Sequence, residues 1–141
     1  MMERSLVLIK PDATRRKLIG KILSRFEENN LTIKALKMLK ISKELAEKHY
    51  AEHKGKDFYD DLIKFITSGP AIALILEGKN AISYIRELVG ATNPAEAKKG
   101  TIRGDLKKEP VTSVTENMVH ASDSLESAKR EITLFFGERY L

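Results

Sequence analysis

The chain contains no cysteine, which excludes disulfide scaffolds, zinc sites built on thiolates and cysteine nucleophiles. It also lacks both common phosphate-binding loops, because neither GxxxxGKS/T nor G-x-G-x-x-G occurs. No basic segment leads into an apolar stretch at the start, so we expect no signal peptide. The longest uncharged run, residues 65–76, is interrupted by Gly69-Pro70 and is too short to span a bilayer. These absences predict a cytoplasmic protein that does not enter a membrane.

The composition is that of an ordinary globular domain. The 141 residues suffice for one compact domain, residues 1–141, with 42% hydrophobic and 32% charged side chains. The net charge of +5 favours a polyanionic partner, and both nucleotides and nucleic acids qualify. The charges are spread along the chain without a polybasic tail, so charge alone does not choose between them.

The hydrophobic pattern predicts alternating strands and helices. The predicted strands are residues 4–10, 31–41, 71–76 and 114–120. The predicted helices are residues 18–26, 42–53, 57–66, 82–89 and 125–135. Asp12 is placed to cap the first helix, and Asp123 with Glu126 has the spacing of a capping box for the last one. The order β-α-β-β-α-β predicts an α+β fold, a four-stranded, mainly antiparallel sheet covered by helices, with a long loop before the last strand.

His120 is the residue most suggestive of chemistry. It lies at the end of a predicted strand and just before a helix start, where free backbone N–H groups and the helix dipole favour phosphate. Histidine can act as a nucleophile in its neutral form. Position alone favours a histidine that makes one structural hydrogen bond, because the position is suggestive but not specific. Glu131, about two turns into the helix, could orient the imidazole or simply face solvent.

Other polar residues flank the long loop. Arg86, Thr92 and Arg103 could grip phosphate oxygens, and Lys10 at the end of the first strand could point into the same cleft. Each of them could equally be a solvated surface residue.

The two remaining histidines, His49 and His53, lie four residues apart and could share one helix face as a metal pair. No third ligand has convincing spacing, so we interpret both as surface histidines. Phe58 could stack on a flat ligand, although most phenylalanines at helical spacing belong to the core.

These residues belong to a longer pattern. The stretch Asn117-Met118-Val119-His120-Ala121-Ser122-Asp123 resembles the active-site signature of nucleoside diphosphate kinases, Asn-x-x-His, then Gly or Ala, then Ser-Asp. Five further stretches match in order, and they are Lys10-Pro11-Asp12, His49-Tyr50, Ser68-Gly69-Pro70, Gly90-Ala91-Thr92-Asn93-Pro94-Ala95 and Gly100-Thr101-Ile102-Arg103-Gly104-Asp105. The resemblance covers nearly the whole chain. It implies the ferredoxin-like fold, in agreement with the strand and helix pattern.

The resemblance also implies a reaction. Family members transfer the terminal phosphoryl group of a nucleoside triphosphate such as ATP to a diphosphate such as GDP, with Mg²⁺ and little base selectivity, by a ping-pong route. His120 matches the phosphorylated histidine, Glu131 the acid that orients it, and Ser122 the hydroxyl beside it. Tyr50 matches the tyrosine near the histidine, and Asp123 an acid near the Mg²⁺ site.

Seven positions match nucleotide contacts of the family. Those for the ribose are Lys10 and Asn117, those for the phosphates are Arg86, Thr92 and Arg103, and those for the base are Phe58 and Leu62. Lys10 counts among the catalytic residues as well. The family also implies a homo-oligomer, with a hexamer favoured and a tetramer as the alternative, and no requirement for nucleic acid.

The chain departs from the family pattern in one segment. Between Asp105 and Asn117, the stretch 106–116 is a few residues longer than usual. The length leaves open whether Val111 or Val114 faces the base opposite Phe58. A regulatory or nucleic-acid-binding member of the same fold is the alternative to an active kinase. The presence of the expected residue type at each mapped catalytic position favours the kinase.

Overall fold

The chain folds into one four-stranded sheet with helices on both of its faces. The computed structural model describes residues 1–141. The strands are β1 (Met2–Ile9), β2 (Thr32–Lys40), β3 (Pro70–Lys79) and β4 (Val119–Ala121). The helices are α1 (Pro11–Arg15), α2 (Ile19–Glu28), α3 (Lys43–His49), α4 (Tyr59–Ile66), α5 (Ala81–Val89), α6 (Ile102–Leu106) and α7 (Leu125–Phe136). None of these helices combines the length and apolar character needed to cross a membrane.

The sheet has the order β2-β3-β1-β4, and each neighbouring pair is antiparallel. The two central strands, β1 and β3, are the ones whose sequences read as continuous apolar runs, as expected for strands covered on both faces. The predicted α+β, ferredoxin-like fold is confirmed. Ile9 lies opposite Ile72 of β3 on one side and Val119 of β4 on the other. The C-terminal end of β1 is therefore held beside the short strand that carries His120.

The hydrophobic core has two layers, one on each face of the sheet. Val7 and Ile9 of β1 pack into the layer covered by α2 and α5, whereas Leu6 and Leu8 pack into the layer covered by α3, α4 and α7. This split follows from the alternation of side chains along a strand. All four residues are fully buried. Burial of such a side chain stabilises the fold by roughly 1.5–3 kcal/mol, so both layers hold β1 in place.

The last strand is shorter than predicted. Residues 114–118 are not extended, and Val114 is 51% exposed. Met118 has a left-handed backbone with φ of 70°. The β-branched residues around it favour a strand, so the sequence pattern does not predict this conformation. The main chain of Met118 is fixed from outside the segment, because its N–H donates to Asp12 Oδ2 at 3.1 Å and its carbonyl accepts from Lys10 N at 2.8 Å. Pairing in β4 therefore begins only at Val119.

Both predicted helix caps differ from the structure. The N-cap of α1 is Lys10, while Asp12 lies in the first turn of the helix. The N-cap of α7 is Ser124, whose hydroxyl accepts from Ser127 N at 3.0 Å, so the capping box predicted at Asp123 was wrong. Two neighbouring residues with good capping propensity cannot be separated by sequence pattern alone.

Several helix boundaries also shift. The helix predicted for residues 42–53 ends at His49 and continues as a 3₁₀ turn, Ala51–His53. The helix predicted from residue 57 begins at Tyr59, and the long loop contains the short helix α6.

Candidate active site

The imidazole of His120 lies on the edge strand β4, next to the helix that follows that strand. Its Nε2 is 2.8 Å from Oε1 of Glu131, which α7 supplies and which is only 4% exposed. The hydroxyl of Ser122 donates to the same carboxylate oxygen at 2.8 Å. Because an ionised carboxylate only accepts hydrogen bonds, this geometry places the ring proton on Nε2 and leaves the lone pair on Nδ1. The His120 side chain is 21% exposed, so a ligand can reach it.

Ser122 connects this pair to the centre of the sheet. Its Oγ accepts a hydrogen bond from the backbone N of Leu6 at 3.0 Å. The distance from Oγ to the carbonyl oxygen of Leu6 is 3.3 Å, which is longer than the 2.8 Å from Oγ to Glu131 Oε1. The single hydroxyl proton is thus best directed at the carboxylate. The backbone of β1 thereby fixes the serine, the serine fixes the acid, and the acid fixes the imidazole.

His49 is not a surface histidine, so that prediction was wrong. It is 4% exposed, and its ring stands nearly perpendicular to that of His120, with centroids 4.6 Å apart and an interplanar angle of 84°. Burial, and secondarily the charge of His120, lowers the pKa of His49 well below its usual value. The polar character of histidine in the hydrophobic pattern predicts an exposed side chain. The match of His49-Tyr50 to the family pattern was the one feature of the sequence that pointed to a place in the site.

Tyr50 follows His49 and is almost fully buried, with ring centroids 4.6 Å apart. Burial, with a smaller effect of the Glu131 charge, raises the pKa of Tyr50. Its phenol therefore remains protonated and is available as a hydrogen-bond donor near neutral pH.

Lys10 and Asn117 meet at the C-terminal end of β1. Lys10 Nζ donates to Asn117 Oδ1 at 2.8 Å, and Asn117 Nδ2 donates to the carbonyl of Thr92 at 3.0 Å. Both side chains are buried, whereas Thr92 is exposed. Burial, and next the nearby Arg103 guanidinium, lowers the pKa of Lys10 from 10.5 to about 8. The structure thus brings together three of the predicted nucleotide contacts.

Two arginines place positive charge beside the end of β4. Arg103, on α6, is buried and donates from Nε to the carbonyl of Asn117 at 3.0 Å and from Nη1 to that of Gly90 at 2.9 Å. Arg86, on α5, is exposed and donates to the carbonyl of Ala121 at 3.2 Å. Burial, followed by repulsion from Arg86, lowers the pKa of Arg103 to about 10. An anion bound between the two guanidinium groups would relieve that repulsion.

The position of Arg103 depends on close packing at the next residue. A Cβ added to Gly104 would lie 1.9 Å from the carbonyl oxygen of Lys98. Only glycine therefore allows α6 to approach the preceding loop this closely.

The predicted base contacts form an open apolar surface. Phe58 directly precedes α4 and is 44% exposed, and Leu62 lies one turn later, half-buried. Of the two valines, Val114 is exposed, whereas Val111 lines a cavity of about 460 Å³ together with Asp12 and Met118.

Asp123 lies at the start of the segment leading into α7 and is exposed. A hydrogen bond from Ser127 is the main cause that lowers the pKa of Asp123, and Arg86 contributes electrostatically. An ionised, accessible carboxylate near the guanidinium of Arg86 fits Mg²⁺, which is bound in proteins by one or two carboxylates together with substrate phosphates.

Comparison with known proteins agrees with this geometry. The sequence profile of the family described as "Nucleoside diphosphate kinase" matches residues 3–141. The chain belongs to the nucleoside diphosphate kinase family. A nucleoside diphosphate kinase of Methanocaldococcus jannaschii is 56% identical over 138 residues, which cover 98% of this chain and 96% of that one. One from Thermus thermophilus is 53% identical over 135 residues, covering 96% of each chain.

Solved structures of the family have the same fold. The Aquifex aeolicus nucleoside diphosphate kinase has a TM-score of 0.90 at 41% identity and covers 96% of both chains. A halophilic member from Halobacterium salinarum, solved in complex with CDP, has a TM-score of 0.90 at 43% identity and covers 96% of this chain and 88% of its own. The predicted family, fold and enzyme class are thereby confirmed.

Proposed function

We propose that this member of the nucleoside diphosphate kinase family transfers phosphoryl groups through a phosphohistidine on Nδ1 of His120. The observation that carries the proposal is the 2.8 Å contact between His120 Nε2 and Glu131, which leaves Nδ1 as the ring nitrogen with a free lone pair. An oriented imidazole that has a free lone pair and that solvent can reach is suited to nucleophilic attack.

The reaction consists of two symmetrical halves. The Nδ1 lone pair attacks the terminal phosphorus of a nucleoside triphosphate, and the bond from that phosphorus to the bridging oxygen breaks, so that the diphosphate leaves. The ring gains positive charge as the N–P bond forms, and the carboxylate of Glu131 stabilises it through Nε2–H. A terminal oxygen of a second nucleoside diphosphate then attacks the phosphohistidine, which restores the free imidazole.

Polar and charged residues around β4 would orient the nucleotide. Lys10 and Asn117, already paired, would bind the ribose hydroxyls, and Arg86, Thr92 and Arg103 would bind the phosphates. Positioning of this kind would supply much of the catalysis, because it would hold the terminal phosphorus against Nδ1 of His120 and neutralise the charge on the transferred group.

Two further groups would act on the transferred phosphoryl. The protonated phenol of Tyr50, near the His49–His120 ring pair, would donate a hydrogen bond to it. Asp123 would hold Mg²⁺, which when bound neutralises phosphate charge.

The base would stack on Phe58 beside Leu62, with Val114 rather than Val111 on its other face, because Val114 is the more exposed of the two valines. Stacking does not distinguish bases, so selectivity should be low. Replacement of Val114 by alanine should raise KM for all nucleotides, whereas Val111→Ala should not. The opposite pattern would assign Val111 to the base.

We propose a homo-oligomer, with a hexamer favoured over a tetramer as the family resemblance implies, and the open edge of the sheet supports pairing between subunits. Leu36 and Met38 on the edge strand β2 are 46% and 58% exposed. An open edge that carries exposed apolar side chains suits pairing between subunits. Sedimentation of the wild type and of Met38→Glu should show a smaller species for the variant.

We further propose that residues 1–141 act as a single domain in the cytoplasm.

A labelling experiment tests the proposed function. The wild type, incubated with Mg²⁺ and γ-labelled ATP, should acquire acid-labile label that chases to GDP. His120→Ala should acquire none, whereas His53→Ala, the matched histidine control, should label. A wild type that does not label, or full labelling of His120→Ala, would refute the proposal. A nucleic-acid-binding protein would instead show salt-dependent affinity unaffected by His120→Ala.

A further inference from the structure

Phosphoryl transfer through His120 gives no role to the ring nitrogens of His49. Both nitrogens are buried and make no hydrogen bond. Asp12 Oδ1 is the one other buried side-chain polar atom without a hydrogen-bond partner. An unpartnered polar group in a protein interior is costly, and a phenylalanine would fill the same space without that cost. The ring is therefore suited to a partner that is bound from outside the chain.

The surroundings of His49 indicate which partner it is. One atom each from His49, His120 and Glu131 lie within 4.8 Å of one another. Two imidazole nitrogens and one carboxylate oxygen are the three protein ligands of many zinc sites that keep a fourth position open. With Zn–N distances of about 2.0–2.1 Å, tetrahedral ligands lie about 3.3 Å apart, so the cluster would need to contract by about 1.5 Å.

We propose that His49, His120 and Glu131 form a binding site for Zn²⁺, and that Zn²⁺ bound there prevents phosphorylation of His120. This regulation rests on the function proposed above. Zinc at Nε2 needs the lone pair on that nitrogen, so the single ring proton of neutral His120 moves to Nδ1. The nucleophilic nitrogen then has no free lone pair, and no proton is gained or lost overall.

Other features of the chain favour this ion. Neither ring nitrogen of His49 makes a hydrogen bond within the chain, so a metal ion would not have to displace an existing partner from it. The hydrogen bond from Ser122 would remain and orient the carboxylate of Glu131. There is no cysteine to compete for zinc, and His53 is the one remaining histidine. Mg²⁺ prefers oxygen ligands and would not displace zinc from two imidazoles.

A calorimetric titration of Zn²⁺ into tag-free, nucleotide-free protein tests the site directly. The wild type should bind one ion per chain. His49→Phe, which keeps a ring among Tyr50, His120 and Phe135, should weaken binding by about a hundredfold, and His53→Phe should not change it. Glu131→Gln provides a second variant should His49→Phe fail to fold, and it should also weaken binding. The inference would be overturned if the wild type does not bind zinc, or if His49→Phe and Glu131→Gln both bind it as tightly as the wild type does.

A single-turnover labelling experiment tests the consequence of binding. Protein loaded with Zn²⁺ should label at least tenfold more slowly than zinc-free protein, and the rate for His49→Phe should not respond to the same zinc concentration. Equal slowing of both proteins would refute inhibition through this site. A zinc-free wild type that never labels would contradict the proposed function, while the titration would still decide the metal site.

Discussion

Replacement of Glu131 by glutamine isolates the contact on which the proposed mechanism rests. The glutamine amide can donate to Nε2 of His120, which would shift the ring proton to Nδ1 and remove the nucleophilic lone pair. A hydrogen bond to a charged group contributes about 1.5–3 kcal/mol, and each 1.4 kcal/mol changes a rate about tenfold. We therefore expect phosphorylation of Glu131→Gln to be about 10- to 150-fold slower, measured by rapid quench with γ-labelled ATP.

The companion variant is Ser122→Ala, which removes only a neutral donor to the same carboxylate. This bond also ends on the charged carboxylate, but it acts on His120 only through Glu131, so we expect a smaller loss than for Glu131→Gln, about 2- to 13-fold, or about 0.5–1.5 kcal/mol. Because Glu131 is not among the proposed nucleotide contacts, the nucleotide KM should stay near the wild-type value. A rate within threefold of wild type for Glu131→Gln, or a defect confined to KM, would refute the reasoning.

Other predictions follow from the nucleotide contacts and from backbone packing. Phe58→Ala should weaken every nucleotide by about 1–3 kcal/mol in competition binding, and loss for one base alone would contradict stacking. Since the pKa of Lys10 is lowered to about 8, its positive charge is lost above that pH, and kcat/KM should fall there for the wild type but not for Lys10→Arg. Gly104→Ala should destabilise the fold by about 1–3 kcal/mol in urea unfolding, because its Cβ would overlap the Lys98 carbonyl. Gly20→Ala, whose Cβ meets nothing within 4 Å, should stabilise α2 by about 0.5–1 kcal/mol. Equal changes in the free energy of unfolding for Gly104→Ala and Gly20→Ala would contradict the importance of close packing at Gly104.

The sequence predicts the architecture well because its strongest signals are local. The continuous apolar runs of β1 and β3 and the helical spacing of α2, α5 and α7 are sufficient for element type and order. Prediction fails where the conformation depends on distant partners. The left-handed Met118, held by Asp12 and Lys10 from the other end of the chain, shortens β4 in a way that β-branched composition cannot indicate.

The site shows the same division. The family pattern indicates His120 and Glu131, and their contact depends on β4 and α7 meeting at one edge of the sheet. Burial of His49 could not be read from its polar character, because it results from the packing of α3 against Tyr50 and Phe135. The pairing of Lys10 with Asn117, separated by 107 positions, likewise requires the closed fold.

Identification of the phosphorylated atom is the decisive test of the proposed phosphohistidine. The phosphoenzyme, prepared with Mg²⁺-ATP from ¹⁵N-histidine-labelled protein, can be studied by NMR, where coupling to ³¹P identifies the bonded ring nitrogen. We predict phosphorus on Nδ1 of His120, with Nε2 still protonated towards Glu131. Phosphorus on Nε2, or on any other residue, would contradict it.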